Sequence, residues 1–203
     1  MTLTIIEAAS DKRLTTLPTA KAELQVTSGA DDAYITSLID QASAAVLSWC
    51  QRAFAAETVR ETFRLPAPDT SIMLARWPVL SAVSIEINGQ TEDADNAEPE
   101  AGGFLYRLND DGNRVSWPSG RIVIEYRAGF VLPNDPGRTL PADIERAALS
   151  LVKAGWFARS RDPLIRSETI EGAGSTDYFS GTVSRLPPDV ESLLSPYRNL
   201  TMG

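Results

Sequence analysis

Not one histidine occurs among the 203 residues. The side chain that most often serves as the acid–base group near neutral pH, and most often ligates metals, is missing. Ser-His-Asp, Cys-His and His-metal chemistries are excluded, and only carboxylate- or lysine-based mechanisms stay open. Cysteine is nearly absent too. Cys50 stands alone, so no disulfide can form within the chain, which suits a reducing compartment. No run reaches the ~18 apolar residues of a membrane-crossing helix, and the opening MTLTIIEAASDKR lacks the basic-then-apolar order of a secretory leader. A protein made and folded in a cytoplasm, with no membrane partner, is expected. Basic residues are in the minority: 19 Lys and Arg face 27 Asp and Glu, a net charge of −8. Such a chain is expected to be a poor sequence-independent binder of phosphate backbones, which takes clustered Lys and Arg.

What is there is enough for a core. Hydrophobic residues make up 43 % of the chain, within the globular range, and the length fits one compact domain with a long excursion, or two small ones. Residues 1–16 are mixed and read as an N-terminal arm. A core over 17–160 follows, opening with a short helix at about 19–25 for which Thr19 is the N-cap. Ile35, Leu38, Ile39, Ala42, Val46, Trp49 and Cys50 recur at helical spacing, after Ser28 and Asp31 at capping-box spacing, and predict a helix over about 31–52. From Glu57 the period shortens to two. TVRETFRL alternates, Ile85 and Ile87 alternate with polar neighbours, and RIVIEYRAGF sets Ile122, Ile124 and Tyr126 against Val123 and Glu125. Asn88-Gly89 and Asn109 to Gly112 mark hairpin turns. These signals predict a β-rich insertion over about 57–130, in which the acidic TEDADNAEPEAGG is an exposed loop.

A third helix, about 141–159, begins at Pro141 and carries the stripe Ile144, Ala148, Leu151, Val152 and Gly155. Its small residues Ala147, Ala148 and Gly155 predict close packing on another helix. Residues 161–203 read as an extended arm, rich in Gly, Ser and Thr over 162–187, with a short helix at about 188–196. A segment that long is uncommon as a plain connection. Its Ile170, Tyr178, Phe179, Val190, Leu193, Leu194 and Tyr197 are too apolar for a solubilising tail, and the segment is expected to order on a partner surface. The fold class is therefore α+β: a helical bundle with a β-rich hairpin insertion and a C-terminal arm and helix.

Candidate chemistry is sparse. Cys50 follows Trp49 on an apolar helix face and reads as a buried structural thiol, with no histidine to activate it. Setting Gly112 as the glycine of a calcium loop puts Arg107 at the first ligand position and Pro118 at the last, so that site fails. Gly172-Ala173-Gly174 is too short for a phosphate fingerprint and reads as a hinge. Arg159, Arg161 and Arg166 form either a patch that meets an acidic partner or ordinary helix-end charges. No catalytic, cofactor-binding or metal residue is nominated, and no spacing marks a converging carboxylate pair.

Three segments carry a resemblance: Leu17 to Leu24 leading through Asp31-Asp32-Ala33-Tyr34-Ile35 to Trp49 and Arg52; Tyr126-Arg127-Ala128-Gly129-Phe130, then Pro141-Ala142-Asp143-Ile144 and Trp156-Phe157-Ala158-Arg159; and the closing Pro196-Tyr197-Arg198. In order and spacing the chain resembles the phage head–tail connector family, also called head-completion adaptors, over most of 17–198. The resemblance implies a non-enzymatic virion protein that uses no cofactor. It implies a ring of about twelve copies at the head–tail junction of a phage or gene transfer agent, assembled in the host cytoplasm. The implied partners are the portal protein above, a downstream stopper or tail protein below, and double-stranded DNA that passes through the channel without specific binding. Arg159, Arg161, Arg166, Tyr178, Phe179, Leu193, Leu194 and Tyr197 are the residues expected to meet the portal or a neighbouring subunit. A tail terminator or stopper ring is the alternative, and a carboxylate hydrolase comes third.

Overall fold

A computed structural model describes residues 2–159, 167–170, 174–177 and 186–199. The chain is α+β, with helices and antiparallel sheets. It divides into two compact units: Met1–Lys12, Ala53–Leu132 and Gly137–Thr139 form one, and Arg13–Arg52, Pro133–Pro136 and Leu140–Gly203 form the other.

The first unit is built from strands: β1 (Thr2–Glu7), β2 (Glu57–Leu65), β3 (Ile72–Met73), β4 (Val79–Ile87), β5 (Gln90–Glu92), β6 (Ala97–Pro99), β7 (Phe104–Leu108), β8 (Arg114–Val115) and β9 (Gly120–Ala128). One sheet runs β1-β2-β9-β4-β5; a second runs β3-β7-β6, with β8 on β7. The alternation of TVRETFRL and RIVIEYRA explains the centre of the large sheet. β2 and β9 pair without interruption from Glu57↔Ala128 to Leu65↔Gly120, which turns Val59, Phe63, Ile122, Ile124 and Tyr126 to one face. Ile72 and Leu105 of the second sheet, with Leu74 and Trp117, close the core against that face. Trp117 is fully buried and donates its indole N–H to the Leu105 carbonyl at 3.1 Å.

At the end of β9 the chain passes Gly129 with φ +123°, where an added Cβ would stand 2.4 Å from the Ala55 carbonyl oxygen. Just beyond it Phe130 makes an isolated parallel bridge with Ala55, Phe130 N–H to Phe54 O at 2.7 Å and Ala56 N–H to Phe130 O at 3.0 Å. The glycine of the Tyr-x-Ala-Gly-aromatic run is thus required by close backbone approach. Two expectations need correction. Residues 2–7, expected as part of an arm, form the edge strand β1 on β2. The acidic loop contains the short strands β5 and β6 and two 3-10 turns, because hydrogen-bonding partners from β4 and β7 override its weak propensity.

The second unit holds α1 (Leu17–Leu24), α2 (Asp32–Cys50), α3 (Ala142–Ala158) and α4 (Pro188–Leu194), with a hairpin of β10 (Ser167–Ile170) and β11 (Gly174–Asp177) within the segment expected as an arm. Thr16, not Thr19, caps α1. Its hydroxyl accepts from Thr19 N–H at 3.2 Å, because Pro18 lacks an N–H and fits the first turn. Ala20, Leu24, Ile35, Leu38, Ile39, Ala42 and Val152 make its core. Gly155 of α3 lies against Leu38, whose Cδ2 would be 2.8 Å from an added Cβ, so the small residue sets how closely α2 and α3 approach. Among the described residues no helix is long and apolar enough to cross a membrane.

Candidate assembly surfaces

The placement of the reactive groups decides whether the chain can do chemistry. Cys50 is fully buried, and burial pushes its thiol up to about 11. Little thiolate exists at neutral pH, so the residue is inert as a nucleophile. Two glutamates are also buried on β2. Glu61 Oε1 accepts from the Tyr126 hydroxyl and from Ala75 N–H at 2.9 Å, and the Tyr126 oxygen accepts from Arg76 N–H at 3.1 Å. Burial raises the Glu61 carboxyl above its ordinary range; burial and then the Glu61 contact raise the Tyr126 phenol. Glu57 meets the Lys12 ammonium at 3.4 Å. Four residues apart on one strand, the two carboxyls lie roughly 13 Å from each other. That exceeds the ~5–9.5 Å at which paired carboxyls hydrolyse glycosides. Among the described residues no cluster of His, Cys, Asp and Glu could hold a metal ion. Alternation in TVRETFRL shows that Glu57 and Glu61 share a face with Val59 and Phe63, the one signal by which sequence could have found them.

The arginine at the end of α3 is engaged within its own unit. Arg159 Nη1 donates to Asp31 Oδ1 at 2.6 Å, and its guanidinium lies 5.0 Å from the Tyr34 ring and 5.7 Å from the Trp156 ring. Those rings stand 6.0 Å apart. The contact with Asp31 raises the Arg159 pKa and ties the end of α3 to the start of α2. Half of the side chain remains exposed, at 53 %. Arg161, Arg166, Tyr178 and Phe179 lie outside the described residues.

The C-terminal segment returns to the helices instead of standing free. Val190 and Leu194 are buried, with α4 packed on α3. Leu194, expected as a surface anchor, is therefore spent inside its own unit; a helix too short to be stable alone buries its apolar stripe on the nearest helix. Leu193 and Tyr197 stay half-buried, and burial with nearby Asp143 raises the Tyr197 phenol. Beyond them the Arg198 guanidinium lies 5.1 Å from the Trp49 ring, and Asn199 N–H donates to the Cys50 carbonyl at 2.9 Å.

Two surfaces of the strand unit went unread in the sequence. The outward face of β2 and β9 carries Arg60, Arg64, Arg121 and Arg127, all exposed. Arg60 pairs with Glu125 at 2.7 Å and Arg121 with Glu86 at 2.7 Å. On the second sheet, Arg114 reaches Glu98 at 2.6 Å and Glu100 at 3.4 Å, and Arg107 reaches Glu92 at 3.2 Å. Phe157 on α3 is the most exposed large apolar side chain described, at 64 %.

A family model described as "Head completion protein" matches residues 13–200. No curated protein matches. Solved structures that contain a chain of similar fold include three of gene transfer agent (GTA) particles. In the neck of an empty GTA particle computed with C6 symmetry, that chain is 18 % identical, with 98 % of this chain and 96 % of that one covered and a TM-score of 0.59. The same identity and coverage hold for a chain in the virion of a native gene transfer agent particle, TM-score 0.59, and for one in the neck of a native GTA particle computed with C12 symmetry, TM-score 0.58.

Proposed function

The chain belongs to the head completion protein family, and from that premise we propose that it is a head–tail connector: a ring subunit at the junction of head and tail that continues the channel through which DNA leaves the particle. The observation that carries this is the family match over residues 13–200, which takes in the helical unit and nearly all of the strand unit. Its chemistry supports assembly over catalysis. The thiol is buried and unactivated, the two buried glutamates of β2 stand apart, and histidine is missing. In this reading the helices form a bundle from which the β-rich unit is inserted, as the chain order of the two units allows.

The partners we propose are the portal protein, the next head-completion or tail protein, and further copies of this chain. Leu193, Tyr197, Arg161, Arg166, Tyr178 and Phe179 would supply contacts from the C-terminal side. A net charge of −8 per copy would leave a ring strongly acidic, so DNA sliding within about a Debye length of ~8 Å would be repelled from the wall. The direct test is genetic removal. Particles lacking the chain should fill with DNA, leak it and bear no tails, and supplying the protein in trans should restore tailed particles. Normal tailed particles without it would overturn the reading.

A further inference from the structure

The outward face of the large sheet is unusual for so acidic a protein. Of the eight outward side chains on β2 and β9, four are arginine: Arg60, Arg64, Arg121 and Arg127. Two have intramolecular counterions. Arg64 and Arg127 make no ion pair among the described residues, and the register sets Arg64 directly across from Arg121. Like charges at facing positions destabilise a strand pair; Glu86 offsets Arg121, which leaves Arg64 opposite it, and Arg127 further along the face, to be balanced by a counter-charge from outside. The face extends over about 20 Å of strand.

The other side of the same unit has the opposite charge. The second sheet lies across the apolar core from the arginines. Between Gln90 and Ser116 the chain carries Glu92, Asp93, Asp95, Glu98, Glu100, Asp110 and Asp111 against only Arg107 and Arg114. Both of those arginines are already paired there, and Asp95 and Asp111 remain exposed. The unit is therefore uneven in charge: arginines gather on the outward face of β2 and β9, where Glu125 and Glu86 offset two of them, and acidic residues gather in the segment 90–116, which takes in β5, the second sheet and the turns between them.

We infer that neighbouring copies dock head to tail through this unit, the arginine face of β2 and β9 on one copy receiving the acidic edge around Asp95 and Asp111 of the next. Unlike patches that meet in this way make a heterologous contact, which closes into a ring when the rotation permits. The inference rests on the connector reading and adds which surfaces join the copies. Exposed charge pairs are weak singly and are screened by salt, so the contact is expected to form at high local concentration and to fade as salt rises.

The test uses the full chain with two charge-reversed variants, Arg64→Glu/Arg127→Glu and Asp95→Lys/Asp111→Lys. Sedimentation velocity at near-millimolar protein in low salt, where the Debye length is about 30 Å, should show the wild type self-associating, and association should vanish at high salt. Each variant alone should lose about tenfold or more in association constant. An equimolar mixture should regain it, because every reversed face then meets a reversed edge; recovery also shows that both variants are folded. A wild type that stays monomeric under these conditions, a variant that associates normally, or a mixture that fails to recover overturns the inference. Binding of duplex DNA by the wild type that is lost in Arg64→Glu/Arg127→Glu would overturn it too, by naming nucleic acid as the occupant. These outcomes are separable from failure of the connector reading, which shows as absence of the protein from the junction of purified particles.

Discussion

The two units bury different things. In the strand unit a carboxylate occupies the middle of a buried face: Glu61 sits between Val59 and Phe63 on β2, fully enclosed, held by Tyr126 and Ala75. In the helical unit the buried face of α2 is apolar except for Ser43, whose hydroxyl accepts from Leu14 N–H at 3.0 Å, and the buried carboxyl, Glu145, sits in the first turn of α3, where it accepts from the Thr15 hydroxyl at 3.0 Å. A buried ionisable group makes stability depend on pH, whereas an aliphatic core makes it depend on volume. The core of the strand unit should thus respond to both through Glu61, and the apolar core between α1, α2 and α3 mainly to packing.

The strongest way to break this contrast is to remove volume from each side. Trp117→Ala deletes the largest buried side chain of the strand unit and orphans the Leu105 carbonyl, and should cost about 3–5 kcal/mol, read as loss of the strand signal in circular dichroism on heating. Leu194→Ala should cost the helical unit about 2–4 kcal/mol. That penalty, seen as a lowered midpoint in denaturant, would show that the C-terminal helix is part of the unit; an unchanged midpoint would show that it is not.

Titration sharpens the contrast. Burial holds folded Glu61 protonated to a higher pH than the ordinary 4.5. The folded state then binds the extra proton, so this contribution is fully present below the unfolded value and is lost as pH rises through the raised folded one. Glu61→Gln should flatten that decline on going from acid to neutral pH in thermal melts of the strand unit. Tyr126→Phe, which removes a donor from the buried carboxylate, should cost about 1–3 kcal/mol and steepen it. A wild type equally stable across that range would contradict the burial account. The smallest effect belongs to Cys50→Ser, about 1–2 kcal/mol from burying a hydroxyl, and native Cys50 should resist thiol reagents at neutral pH.

Much of the fold was legible in the sequence because period carries it. The stripe from Ile35 to Cys50 and the alternation through Ile122, Ile124 and Tyr126 gave elements close to those observed. Asn88-Gly89 supplied its turn, with φ of 51° and 85°. What stayed hidden depends on distant partners. Thr2–Glu7 becomes a strand only because β2 lies beside it more than fifty residues later, and β5 and β6 exist only as additions to β4 and β7. The arginine face needed the register of β2 on β9, since Arg64 and Arg121 are far apart in sequence. Leu194 looked like an anchor because apolarity alone does not say which surface a short helix will cover.

The central claim, that the chain is the connector between head and tail, is tested most directly by locating it in purified particles. Electron microscopy of particles carrying a compact tag on this chain should place tag density in a ring at the narrow junction between head and tail. Density along the tail tube, on the capsid shell, or nowhere in the particle would contradict it.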